Sequence, residues 1–171
     1  MSRKTTEIEK RIFAVLVDNE PGVLARVIGL FSGRGYNIES LTVSEVDVER
    51  HLSRITIITS GTPQVLDQIR AQLERLVPVR RVSDLTEIGD FVERELALIK
   101  VAGAGDKRVE ALRIAGIFEA KVVDAGLDYF VFQMTHRTEK LDRFIDLMQP
   151  LGLIDVSRTG VVAISRGPEG L

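Results

Sequence analysis

The sequence predicts an α+β protein built from two ferredoxin-like βαββαβ domains, each an antiparallel sheet with its helices on one face. Three observations predict it. Strand-like runs and helical periodicities follow in the order β-α-β-β-α-β between Arg11 and Val82. The same order recurs, less regularly, from Glu95 to Ser165. Between them lies a polar stretch, Asp84 to Arg94, which reads as a linker with Ile88 and Phe91 able to dock. The expected organisation is a flexible N-terminus at 1–9, a first domain at 10–83, a linker at 84–94 and a second domain at 95–171.

Arg11 to Val17 is a short apolar strand, and Asp18-Asn19-Glu20-Pro21-Gly22 is the turn after it. Val23, Leu24, Val27, Ile28, Leu30 and Phe31 then recur at helical spacing and mark an amphipathic helix. Gly33 and Gly35 stop it, since glycine is favoured just past a helix end. Tyr36 to Val46 contains several β-branched residues and reads as a strand; a polar connection at 47–50 leads to another, Leu52 to Thr59. Thr62 is placed to cap the second helix, with Pro63 as its first residue. Val65, Leu66, Ile69, Leu73 and Leu76 form its buried stripe, Pro78 closes it, and Val77 to Val82 is the last strand.

In the second half, Glu95 to Val101 is a strand and Ala102-Gly103-Ala104-Gly105 a turn. Val109, Leu112, Ile117 and Phe118 mark a helix, and Lys121 to Asp124 pairs with Leu127 to Thr135. Thr138 is the expected cap of a helix carrying Leu141, Phe144, Ile145 and Met148, ended by Pro150. Ile154 to Ser165 supplies one or two strands broken at Gly160.

Units of about 75 residues bury only about 60% of their unfolded surface and are marginal alone. The third strand is apolar on both sets of positions, with Ile55 and Ile57 on one and Ile58 on the other. Pairing of sheets or edges between domains or chains is therefore expected, with a homo-oligomer the simple outcome.

Composition removes functions. Cysteine is absent, which excludes disulfides, thiolate metal sites and a Cys nucleophile. The two histidines, His51 and His136, offer little for a metal site or a His-based triad. With 23 basic and 25 acidic residues, and no basic excess in either half, nucleic acid is not an expected partner. The longest strongly apolar run, Ile12 to Val17, is far short of the roughly 20 residues of a membrane span. The N-terminus carries charges where a signal peptide needs an apolar stretch, so a cytoplasmic protein is expected.

The loop Asp18-Asn19-Glu20-Pro21-Gly22-Val23-Leu24 is the strongest local feature. Unbonded amides at a helix start and the helix dipole favour an anion there. Gly22 permits close approach to the backbone. Asn19 offers an acceptor for an ammonium and a donor for a carboxylate. Asp18 and Glu20 add negative charge, and Val17, Val23 and Leu24 apolar walls. An amino-acid zwitterion fits this set. A plain capped turn with proline in the first helical turn also accounts for these residues, as ordinary turn chemistry accounts for Gly35 and Asn37 in the second motif, Gly33-Arg34-Gly35-Tyr36-Asn37-Ile38.

The two motifs together are similar to a known family. Asp18 to Leu24 resembles the opening of an ACT domain, a small amino-acid-sensing module. Arg26 to Val43 resembles the small regulatory subunit of acetohydroxyacid synthase, also called acetolactate synthase. So do Ser53-Arg54-Ile55-Thr56, Val92-Glu93-Arg94-Glu95-Leu96 and Ser157 to Gly167. The resemblance covers roughly residues 10 to 168 and implies an N-terminal ACT domain and a C-terminal ACT-like domain. It implies a non-catalytic chain that activates a large subunit carrying thiamine diphosphate, Mg2+ and FAD, and that confers feedback inhibition by a branched-chain amino acid, typically L-valine. It implies a homodimer through the ACT domains, with effector residues Asn19, Glu20, Pro21, Gly22, Val23 and Leu24 from one chain and Asn37 and Ile38 from the other. Val17 and Val43 are the expected apolar wall. Glu93, Arg94 and Glu95 read as an ordinary charged face, to which the resemblance adds partner contact.

The second turn, Ala102 to Asp106, has no counterpart of Asn19, so no primary effector site is expected there. It is not a dinucleotide fingerprint either, because Arg108 stands at the third glycine position. His51 reads as a solvated loop residue and His136 as a surface or capping residue. Ser165-Arg166-Gly167 reads as a strand-ending turn more readily than as an anion site. An RNA-binding reading lacks aromatics on Leu52 to Thr59, although Tyr129, Phe130 and Phe132 share one strand. An enzyme lacks a nucleophile–base set, since Asp18 and Glu20 make no convincing pair. A sensor acting on another target is the nearest rival.

Overall fold

The computed structural model describes residues 7–171. The expected flexible segment 1–9 falls largely outside them; Glu7 and Ile8 precede the first strand. The chain divides into two compact units. One runs through Val92 and takes in Val162–Leu171; the other is Glu93–Val161.

The first unit contains β1 (Glu9–Asp18), α1 (Val23–Arg34), β2 (Ser40–Asp47), β3 (Leu52–Gly61), α2 (Pro63–Glu74) and β4 (Val79–Asp84). Its strands lie in the order β2-β3-β1-β4, all antiparallel. That is the order a βαββαβ chain adopts when both helices cross the same face. Strand alternation places Phe13, Val15 and Val17 with Ile55, Ile57 and Val82 under the helices, against Val27, Phe31, Leu66, Ile69 and Leu73. Gly35 ends α1 in the left-handed conformation (φ 69°), while Gly33 lies inside the helix. Thr62 caps α2 through its side chain, and Pro63 is the first helical residue.

The face of the first sheet away from its helices is not bare. Ile12, Ala14, Thr56 and Ile58 alternate onto that face, yet all are buried. Two segments of the unit's own chain lie against β1. After β4 comes a single turn, α3 (Leu85–Ile88), capped by the Asp84 carboxylate, which accepts from the Thr86 and Glu87 amides. Thr86 Oγ1 accepts from the Ile12 amide at 3.0 Å. The last strand, β9 (Val162–Ser165), also lies against β1, and the Ala163 carbonyl accepts from Arg54 at 2.7 Å. The stretch 84–94 is thus more than a linker: it holds α3 and the start of β5 (Phe91–Ala102), with which β9 pairs.

A charge cluster, buried at Arg11 and Asp84 and exposed at Asp67 and Glu87, ties this cover to the sheet. The Arg11 guanidinium lies 2.7 Å from Asp67, 3.3 Å from Asp84 and 3.3 Å from Glu87. Burial raises the Asp84 carboxyl above the usual range, against its amide bonds and Arg11.

The second unit repeats the plan with the remainder of β5, then α4 (Gly105–Ile117), β6 (Lys121–Ala125), β7 (Tyr129–His136), α5 (Thr138–Met148) and β8 (Leu153–Arg158). Its order, β6-β7-β5-β8, matches the first sheet position for position. Ile99, Phe130, Phe132 and Met134 pack beneath Ile114, Leu141 and Phe144. Thr138 is not the cap of α5: Arg137 holds that position, and the Thr138 hydroxyl donates to Glu95 at 3.2 Å. Glu95 is buried and forked by Arg158 at 2.9 and 2.8 Å, and Arg158 also reaches Asp142 at 2.7 Å. Bonding to Glu95 holds Arg158 more firmly protonated than an ordinary arginine. Among the described residues no helix is long and apolar enough to cross a membrane.

Candidate functional site

The loop between β1 and α1 is pinned from below and open above. The Asp18 amide donates to the Pro78 carbonyl at 2.8 Å, and the Asn19 amide to the His51 carbonyl at 2.7 Å. Pro21 and Gly22 turn the chain, and Gly22 (φ 85°) caps α1 without any side-chain bond. The Val23 amide turns back to Glu20, but the Gly22, Leu24 and Ala25 amides have no backbone acceptor among the described residues. A Cβ on Gly22 would meet nothing within 4 Å, so space for an incoming group is open. The result is a set of donors at the positive end of a twelve-residue helix.

Asn19 is exposed, and its Nδ2 donates to Glu45 on β2 at 3.2 Å. Its Oδ1 has no partner among the described residues and remains an acceptor. Asp18 is not a free carboxylate: Arg80 holds it at 2.8 Å, and that bond raises the Arg80 pKa. Glu20 and Pro21 are exposed beside it.

The apolar residues separate into two groups. Val17 and Val23 were expected to line a pocket, but both face the core, at 1% and 5% exposure. For Val17 the reason is period-two alternation, which puts it with Phe13 and Val15. Leu24, Ile28 and Val43 are the exposed apolar residues of this region, at 38%, 36% and 44%. Asn37 is exposed beyond the far end of α1, its carbonyl accepting from Thr59; Ile38 is half-buried against the core.

Within one chain the two motifs do not meet. Leu24 opens α1 and Asn37 lies past its end, and a helix of this length runs about 18 Å. Glu45 and the His51 carbonyl were missed as supports of Asn19. Both belong to the β2–β3 hairpin, and no sequence spacing signals that it folds back to this loop. Of the predicted contact triplet, Glu93 is half-buried, Arg94 exposed, and Glu95 turned inward to Arg158. Among the described residues no group of three or more His, Asp or Glu side chains gathers as a metal ligand set would.

Two βαββαβ units of equal strand order, the first with an uncapped glycine turn at its first helix, define an ACT-type fold. Residues 13–81 match the acetohydroxyacid synthase small subunit-like ACT domain, and residues 94–167 match the family described as the small subunit of acetolactate synthase. A probable acetolactate synthase small subunit of Archaeoglobus fulgidus is 46% identical over 92% of this chain and 98% of its own. The isozyme 3 small subunit of Escherichia coli is 46% identical over 92% and 96%. The crystal structure of the small subunit from Thermotoga maritima superposes with a TM-score of 0.83 at 34% identity, covering 94% of this chain and 99% of that one. The chain belongs to the family of acetolactate synthase small subunits.

Proposed function

We propose that this chain is the non-catalytic regulatory partner of an acetolactate synthase large subunit, raising its activity and making it subject to feedback inhibition by a branched-chain amino acid, L-valine. Thiamine diphosphate, Mg2+ and FAD belong, in this reading, to the large subunit. The observation that carries it is the pair of half-sites at opposite ends of α1. The effector carboxylate takes the free amides of Gly22, Leu24 and Ala25. Its ammonium takes the Asn19 Oδ1, with Glu20 adding negative charge. Asn37 and Ile38 of a second copy close the far wall, and Leu24 and Val43 receive the aliphatic side chain.

A second copy is supported by the surface around the loop. Leu24 and Ile28 are one helical turn apart on α1 and exposed, and β2, with Val43 and Val46 exposed, is an edge strand. A site that exists only in the paired form couples the effector to the pairing: valine shifts the assembly by the difference in its affinity for the paired and unpaired states. Reconstitution tests this. The purified chain is mixed with the catalytic subunit, and acetolactate formation is followed with and without valine. Failure both to activate and to confer valine sensitivity overturns the reading.

A further inference from the structure

The helix α4 is apolar on two opposite sides. Ala111, Ile114 and Ala115 face the core of the second unit. Val109, Leu112 and Ile117, at spacing i, i+3, i+8, share the opposite side and are exposed at 67%, 40% and 63%. A surface helix normally keeps one apolar stripe, and a second one calls for a cover. Arg113 lies on this outer side, but Glu110 holds it at 2.6 and 2.8 Å and cancels its charge.

The stripe ends in a groove of about 490 Å³ between the end of α4 and the first turns of α5. Its floor is Ile117 and Phe118. Its rim is His136, Arg137, Lys140 and Arg143, with Glu139 the single acid. Among the described residues the Arg137, Lys140 and Arg143 side chains form no ion pair or hydrogen bond. Burial and then the charges of Lys140, Arg94 and Arg137, opposed by Glu119, hold His136 below the usual imidazole range. Three cations, Arg137, Lys140 and Arg143, against the one carboxylate of Glu139 make the groove positive. An apolar floor inside a charged rim is the anatomy of a protein interface. Packing the face on a second copy of itself would oppose cation to cation, which disfavours self-association.

We propose that this groove, with the outer stripe of α4 leading into it, is a docking surface for the catalytic subunit, occupied by an acidic segment that sets an apolar side chain on Ile117 and Phe118. The inference rests on the regulatory-subunit reading above. Among the described residues neither Lys140 nor Arg143 has a side-chain bond that supports the fold, and Ile117 is mostly exposed, so all three accept substitution.

The test measures the Kd between the full chain and the catalytic subunit across a salt series. Lys140→Glu with Arg143→Glu raises Kd about tenfold or more and flattens its salt dependence, as expected for rim charges that steer an acidic partner. Ile117→Ser raises Kd severalfold with the salt dependence intact. Lys121→Glu, a reversal of an exposed charge on β6 that has no ion pair among the described residues, leaves Kd within about twofold. Unchanged assembly of the double variant overturns the proposal. So does an equal loss in Lys121→Glu, which would mark a net-charge effect, or a change in self-association with assembly intact, which would mark a second copy as the occupant. If the unsubstituted chain binds no catalytic subunit, the regulatory reading falls and this one with it; if it binds and the variants bind equally, this one alone falls.

Discussion

The two strand-to-helix loops occupy the same place in two sheets of the same order, and they are built to opposite ends. In the first, Gly22 (φ 85°) opens α1, the Gly22, Leu24 and Ala25 amides have no backbone acceptor among the described residues, and the space beside Gly22 is open. In the second, Gly105 (φ 59°) opens α4, but an arginine closes the loop. Arg108 reaches back to the carbonyls of Gly126 and Leu127 at 3.2 Å each and lies 4.0 Å over the Phe130 ring. An aromatic face and carbonyl oxygens are good partners for a guanidinium. In the first loop the side-chain bonds, Arg80 to Asp18 and Asn19 to Glu45, lie before the helix start and leave its amides uncovered. The difference teaches that the repeated fold supplies a helix start twice, and that side chains decide whether it is offered to a ligand or bound internally.

The same contrast runs through the buried charges, where the largest effect is expected. Arg11→Met leaves Asp84 buried but still bonded to two amides; Arg158→Met leaves Glu95 with one hydroxyl. Stripping a buried carboxylate of its arginine costs about 3–5 kcal/mol. Urea unfolding should show Arg158→Met at the upper end of that range and Arg11→Met clearly below it. Equal losses would mean that the α3 amides do not compensate.

Next in size is the effector loop. Gly22→Asp puts negative charge where a carboxylate is to sit, in a backbone conformation costing a non-glycine residue about 1–2 kcal/mol. Valine inhibition of the reconstituted enzyme should vanish while activation persists, and Asn19→Ala should do the same. Arg108→Ala, in the equivalent second loop, should leave inhibition untouched. Valine binding by calorimetry that survives Gly22→Asp would remove the site from this loop.

The two glycines at the end of α1 give a smaller pair of opposite signs. Gly35→Ala is destabilising by about 1–2 kcal/mol, because of its positive φ. Gly33→Ala, inside the helix with nothing within 4 Å of its new Cβ, is stabilising by about 0.5–1 kcal/mol. Thermal unfolding separates them, and equal signs would contradict the helix end.

The smallest effect is electrostatic. The folded chain holds His136 below its unfolded value of 6.5, chiefly by burial. Its contribution to stability is present above that pH and fades as pH falls through the window beneath it. His136→Gln should flatten the loss between neutral and mildly acidic pH. A proton NMR titration of His136 should move up when Lys140→Gln removes a nearby cation.

Much of this was legible in the residues. Helical spacing located α1 and α2, and Thr62-Pro63 marked the start of α2, because caps act locally. The loop at Asn19 was legible as a motif. Its separation into open and interior residues was not, although β1 alternation already assigns Val17 to the core. The cover over Ile12 and Ile58 was out of reach. Its parts are a single turn at 85–88 and a strand some 150 residues from β1, and nothing local to Val162–Ser165 names its neighbour. Likewise Thr138 has the composition of a cap, and only the distant Glu95 carboxylate explains why its hydroxyl points elsewhere.

The position of β9 bears on how the chain is made. The ribosome delivers β1 through β4 early, with every helix and strand of the first sheet in hand. The turn at 85–88 follows at once and reaches Ile12, but the part of the cover made by β9 is missing until residues 162–165 emerge, after the whole second unit. The nascent chain therefore carries an incompletely covered apolar sheet face through nearly half of its synthesis. A cell short of chaperones should lose this protein at that stage, before any partner is met.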